Sequence, residues 1–167
     1  LEMIHEYQTD WLLGCDEVGR GCLAGPVVGA CAAVNVSKVP NNFLQTLGVN
    51  DSKILSMKKR RAIIQELGIQ WDFKKESSIV FQNSFLKISY SQVSSSQIDK
   101  INIFQSSLMA MANATELVKS GRSRLLLVDG KWDLGDRVKK LKQLAIIKGD
   151  SRSKVIALAS VIAKEFR

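Results

Sequence analysis

The stretch from Gly14 to Gly29, GCDEVGRGCLAGPVVG, constrains the fold more than any other part of the chain. Trp11, Leu12 and Leu13 lead into it as a buried strand, and Val27 to Val34 leaves it as a second apolar strand after a Gly-Pro turn. The carboxylates of Asp16 and Glu17 therefore stand where a sheet runs out into a loop. Glycines at 19 and 21 permit backbone conformations closed to other residues and allow a ligand to approach the main chain, while Arg20 supplies a fork suited to phosphate or ribose oxygens. Metal-binding acids beside a backbone-recognition loop suggest phosphodiester chemistry. Neighbouring residues on a regular strand point to opposite faces, so both acids reach one ion only through a bend, which Gly19 is placed to supply. The alternative is a solvated loop acid beside an incidental charge at a sheet edge.

Strand-like and helix-like segments follow in mixed order, as expected of a single α/β domain. We expect strands at 11–17 and 26–35, a basic helix beginning near Ser52 or Ser56, strands within 78–92, a turn at Ser94 to Ser96 and a helix over 102–119. The short apolar run Leu125 to Val128 reads as a strand buried on both faces and ends in Asp129. A further run, Leu144 to Ile147, precedes Lys148-Gly149-Asp150, and a helix beginning near Arg152 turns Val155, Leu158, Ala159, Ile162 and Phe166 inward. Asp129 and Asp150 thus share the strand-end context of Asp16 and Glu17. Ligands of open α/β sheets collect outside strand ends, so four carboxylates delivered this way suit Mg²⁺ or Mn²⁺, hard ions that prefer oxygen. Asp129-Gly130 is equally compatible with a simple turn, and Asp150 or Ser151 with a helix cap.

A length of 167 residues is that of one domain with a substantial core, and the formal net charge of +8 implies attraction to a polyanion. No apolar run approaches the roughly 18 residues that span a bilayer, and nothing at the N-terminus reads as a signal peptide. Cys15, Cys22 and Cys31 lack zinc-site spacing and are odd in number, so they read as reduced thiols in a cytoplasmic protein. His5 is the one histidine, which nearly excludes a serine triad or a His-rich zinc site and leaves carboxylates as the plentiful catalytic groups. One compact domain without an obvious apolar interaction surface is expected to be a monomer.

The motif DEVGRG followed by LAGPVV resembles the N-terminal signature of ribonuclease HII, a bacterial and archaeal family that cuts RNA within RNA–DNA hybrids. Asp51-Ser52-Lys53 with the basic Lys58 to Arg61, Ile98 to Ile103 (IDKINI), LLLVDG at 125–130 and IIKGDSRSKVIALASVIAKEFR at 146–167 resemble further segments of that family in order and spacing. The resemblance implies a ribonuclease H-like fold, a central mixed sheet flanked by helices, formed by residues 1–167 as a single catalytic domain. It implies that Asp16, Glu17, Asp129 and Asp150 bind Mg²⁺ or Mn²⁺ and that water attacks the phosphodiester to leave 5′-phosphate and 3′-hydroxyl ends. Gly19, Arg20 and Gly21 would recognise the ribonucleotide, and Lys53 would contact a phosphate unless it is a solvated surface lysine. Lys58 to Arg61 would form a nucleic-acid-facing patch or a solvated helix face. The implied substrates are RNA–DNA hybrids and DNA duplexes containing ribonucleotides, in DNA replication and repair. Two departures stand out. The family ordinarily continues past the position of Arg167 into helical sequence carrying a tyrosine associated with selecting the RNA–DNA junction, and this part is expected to be absent. Cys22 stands where the family commonly has proline, and loss of the fixed φ is expected to loosen the loop. A binding form with impaired catalysis, or another metal-dependent nuclease of the same fold, remains an alternative.

Overall fold

A computed structural model describes residues 9–49, 55–119, 121 and 124–167. Its centre is a mixed sheet of β1 (Trp11–Val18), β2 (Val27–Asn35), β3 (Ser77–Gln82), β4 (Leu86–Val93), β5 (Arg124–Asp129) and β6 (Lys142–Ile146), in the order β3-β4-β2-β1-β5-β6. β1 to β4 pair antiparallel, whereas β5 lies parallel to β1 and β6 parallel to β5. The parallel half needs crossovers, and these bring the helices onto the sheet. Short helices α1 (Phe43–Thr46), α3 (Ser95–Ile101) and α5 (Gly149–Arg152) accompany the longer α2 (Met57–Glu66), α4 (Ile103–Val118) and α6 (Lys154–Phe166).

Alternation along the strands builds a core on each face. Leu13, Cys15, Cys31, Ala33, Leu126 and Val128 pack with Leu108, Met111 and Val118 of α4. Val28, Ala30, Ala32, Ile88 and Tyr90 pack on the other face with Val155, Leu158, Ala159 and Ile162 of α6. Every residue of β2 is buried, which is why Val27 to Val34 is a continuous apolar run and not an alternating one.

Several expected elements end differently. β1 matches the expected 11–17 with both acids inside it and runs one residue further, because the ladder to β2 continues through Asp16↔Ala30 and Glu17↔Gly29 to Val18↔Val28. The segment 78–92 is a hairpin, with Asn83 accepting from the Phe85 and Leu86 amides at 2.9 and 2.7 Å. The expected turn at Ser94 to Ser96 is instead the start of α3, where Ser94 and Gln97 form a reciprocal capping box. Asn102, at φ 67, then breaks the chain and caps α4 through Gln105 N–H at 3.0 Å. Neither Asp150 nor Ser151 caps α6, because both lie within α5 and extended Ser153 separates the two helices.

The basic run of α2 is partly committed to the fold. Arg60 Nε meets Glu165 Oε1 at 2.7 Å, its other arm donates to Leu55 O at 2.9 Å, and Arg61 lies 3.5 Å from Glu165 Oε2. Glu165→Ala strands the half-buried Arg60 and is expected to cost about 1–3 kcal/mol in urea unfolding. A loss within about 0.5 kcal/mol would make the pair an ordinary surface contact.

Candidate active site

Asp16 sits on the α6 face of β1 with only 6% of its surface exposed. The Glu17 amide donates to its Oδ1 at 2.7 Å, and Ser160 of α6 donates to the same carboxylate. Burial is the largest influence on its acidity, and the charges of Glu17 and Asp129 add to it; together they outweigh the Ser160 bond and push the pKa up to about 7. Glu17, one residue on, lies on the α4 face as strand alternation requires. Its carboxyl is also shifted upward, first by burial and then by Asp129, against the lowering effect of Arg20. The bend expected between the two acids is absent, yet both sense Asp129.

Asp129 ends β5, one step past the Cys15↔Val128 pair, and so neighbours Asp16 across the parallel ladder. Its Oδ1 accepts the Gly149 amide at 2.6 Å. Glycine keeps this corner uncrowded: a Cβ at 149 would lie 2.6 Å from Ile156 Cδ1 and 3.1 Å from Asp129 Oδ1, so both side chains would have to shift. Asp150 follows immediately, 3% exposed. The fold therefore gathers Asp16, Glu17 and Asp129 at adjoining strand ends and sets Asp150 beside Asp129 through Gly149. Among the described residues, no three Asp, Glu, His or Cys side chains stand close enough together to hold a metal ion as they are placed. Lys53 lies outside the described residues, as do Asp51 and His5.

Beyond β1 the glycine loop is shaped differently from the expectation at one position. Gly19 has φ 112, where a side chain is strained, and a Cβ there would meet Pro26 O at 2.8 Å. Gly21 is not in the left-handed region and has open space around it, so it offers access to the main chain without unusual backbone geometry. Arg20 reaches back to Glu17 at 3.2 Å, its guanidinium stands 5.6 Å from the centre of the Phe104 ring, and 48% of its side chain remains exposed. Cys22 N–H donates to Gly19 O at 3.3 Å, a bond that proline cannot make and one that offsets the loss of a fixed φ. Trp132, 63% exposed, meets Phe104 in a T-shaped contact with ring centres 6.1 Å apart. Sequence reasoning missed Trp132, Phe104, Ser160 and Gly149. The Gly149-Asp150 dipeptide after an apolar run was the signal available for the last.

A family profile described as Ribonuclease HII matches residues 13–167, the whole of this constellation. The chain belongs to that family. A ribonuclease HII of Microcystis aeruginosa is 42% identical over 158 residues, covering 93% of this chain and 65% of the relative. The chain thus spans just under two thirds of the length of that relative. The crystal structure of ribonuclease H2 from Pyrococcus horikoshii OT3 superposes with a TM-score of 0.70 at 22% identity, over 92% of this chain and 70% of that one. Bst-RNase HIII in complex with Mn²⁺ superposes with a TM-score of 0.67 at 18% identity, over 96% of this chain and 52% of that one. These two likenesses show the fold alone: the ribonuclease H-like sheet flanked by helices. The family membership rests on the profile and on the similar sequence.

Proposed function

We propose that this ribonuclease HII family chain is an endonuclease that hydrolyses the RNA strand of RNA–DNA hybrids and cuts at ribonucleotides embedded in DNA. The observation that carries the reading is the crowding of Asp16, Glu17 and Asp129 at adjoining strand ends, beside a glycine loop that presents a half-exposed arginine. Like charges brought together with burial cost stability, and Arg20 Nη1 offsets part of that cost at Glu17, 3.2 Å from its Oε1. A divalent ion would have to draw these side chains closer than they stand, but it suits the chemistry of this donor set. Its atoms are carboxylate oxygens, which suit Mg²⁺ or Mn²⁺ over softer metals, and a fold neighbour is a Mn²⁺ complex. Asp16, Glu17, Asp129 and Asp150 would hold it; when bound, it supplies activation of the attacking water and neutralises charge on the leaving 3′-oxygen.

The remaining work belongs to the chain. Gly149 N–H and the Ser160 hydroxyl each hold one carboxylate, Asp129 and Asp16, by a hydrogen bond, the outer support that ligating acids need. Arg20 offers donors to a backbone phosphate once it is released from Glu17, and open main chain at Gly21 lets a 2′-hydroxyl approach. Lys53 adds a phosphate contact in this reading. The net charge of +8 supplies sequence-independent attraction to a duplex. Free thiols at Cys15, Cys22 and Cys31 agree with a reducing cytoplasmic setting.

End-labelled duplexes carrying four, one or no ribonucleotides in one strand test the reading. With Mg²⁺ or Mn²⁺ the RNA-containing strands are expected to be cut to 5′-phosphate and 3′-hydroxyl ends. EDTA or Asp129→Asn should abolish the cutting. Cleavage of the all-DNA duplex would overturn the assignment. Binding without cutting by the wild-type chain would replace it with a nucleic-acid-binding role.

A further inference from the structure

We propose that Arg167 is a positioning residue whose guanidinium locks the loop from Gly19 to Pro26 in the shape that presents Arg20. Two charge-assisted bonds carry the idea: Nε donates to Pro26 O at 3.1 Å and one terminal nitrogen to Ala24 O at 2.9 Å. Carbonyls two residues apart in an irregular loop meet a planar fork that matches both. Beneath that fork lie the loop's two positive-φ glycines, Gly19 at φ 112 and Gly25 at φ 94. A Cβ on Gly19 would stand 3.0 Å from Arg167 Nε, and one on Gly25 would stand 3.3 Å from its terminal nitrogen. Glycine at 19 and 25 therefore makes room for an arginine of the same chain.

The root of Arg167 is rigid, which separates this contact from a surface arginine resting on a loop. Its amide donates to Ala163 O at 3.2 Å and completes the last turn of α6. Phe166 beside it stacks on Tyr90 with ring centres 3.8 Å apart and also contacts Trp71 and Phe73. Glu165 is held by Arg60. The guanidinium is thus fixed to the core at one end and to Ala24 and Pro26 at the other, and the loop between Gly19 and Pro26 is closed at both ends. Arg20 and Gly21 lie within it. Its consequence for cleavage rests on the hybrid-cleaving reading; its consequence for loop order does not.

Arg167→Ala and Arg167→Lys, made in the full-length protein, test it in two independent ways. Amide hydrogen exchange on the metal-free protein without nucleic acid is expected to quicken in peptides covering 19–26 for the alanine variant, with α6 unchanged and the melting point moving by less than about 2 °C. Unchanged exchange would overturn the clamp whatever the enzyme does. In cleavage of the four-ribonucleotide duplex, Arg167→Ala is expected to lower kcat/KM by about tenfold to a hundredfold, the scale of a misplaced binding group. Lysine, with one donor group for two carbonyls, should recover part of that loss. The loss should nearly vanish when Arg20 is already alanine, because both act through one loop. Full additivity with Arg20→Ala, or a loosened loop with unaltered cleavage, would overturn the positioning role. A loosened loop in a wild-type protein that cuts no hybrid would leave the clamp standing and remove the nuclease reading instead.

Discussion

Asp16→Asn is expected to lower hybrid cleavage by about 10³-fold or more, the scale of the several kcal/mol that a positioned cation contributes, and at the same time to stabilise the metal-free protein at neutral pH. The second effect follows from the carboxyl's raised pKa. Burial holds it at about 7 in the folded chain against 3.8 as its ordinary value. Below pH 4 both states carry the proton and the group is neutral in its effect. From pH 4 to 7 the unfolded chain releases a proton that the folded chain keeps, so unfolding becomes easier as pH rises, and above pH 7 the loss is complete. Its size is on the order of 4 kcal/mol, or about 8–16 °C in melting point for a domain of this length. Asparagine keeps the shape and can accept the Glu17 amide, and the Ser160 hydroxyl can turn to accept from its NH₂ group. Thermal unfolding with EDTA between pH 4 and 8 should therefore show the wild type falling across that window and the variant staying flatter. Parallel curves would mean that the Asp16 carboxyl ionises normally. Mg²⁺ is expected to stabilise the wild type above pH 7 and leave the variant nearly unmoved, since a ligand that binds the folded state raises its stability in proportion to affinity.

The sequence and the structure agree most closely where burial is two-sided. Val27 to Val34 of β2 and Leu125 to Val128 of β5 are continuous buried apolar runs, and the limits of both strands were legible to within a residue or two. α6 was equally clear, because Val155, Leu158, Ala159, Ile162 and Phe166 are spaced for one helix face and all are buried. α3 was not, since none of its residues is buried and it has no apolar stripe; only the Ser94 and Gln97 capping pair announced it. The acids were recognisable as a set because each follows an apolar run. Their partners were not, because the bonds from Ser160 to Asp16 and from Gly149 to Asp129 depend on long-range packing that local residues do not encode. The glycines show the same limit more sharply. Gly19 and Gly21 invite one explanation in sequence, ligand approach, yet Gly19 has positive φ and lies under Arg167, while Gly21 has neither property. An arginine more than a hundred residues away decides between them.

Gly14 and Gly29 have an expected effect of comparable size, on folding and not on chemistry. Each lies in a strand where a side chain costs nothing locally, and a sequence reader would accept alanine at either. The helices forbid it. A Cβ at Gly14 would stand 2.6 Å from the backbone of both Val155 and Ile156 in α6, and one at Gly29 would overlap the backbone of Ala110 and Met111 in α4. One glycine on each face lets one helix approach the sheet, so a methyl group must push a whole helix outward and open the core around it. Overpacking usually costs about 1–3 kcal/mol when a side chain can give way; only backbone faces the intruder at these two positions, so we expect at least the upper end, a large fraction of the roughly 5–15 kcal/mol that holds a domain together. Gly14→Ala carries an added penalty, because α6 bears Ser160 and its displacement releases Asp16. Gly21→Ala is the contrasting variant: it has open space and ordinary backbone geometry, so its melting point should stay within about 2 °C while cleavage of ribonucleotide-containing duplexes falls. Urea and thermal unfolding of the three variants separate the two kinds of glycine. Wild-type stability in Gly14→Ala and Gly29→Ala would mean that both helices have room to retreat from the sheet at little cost, and that α6 is too loosely seated for Ser160 to fix the orientation of Asp16.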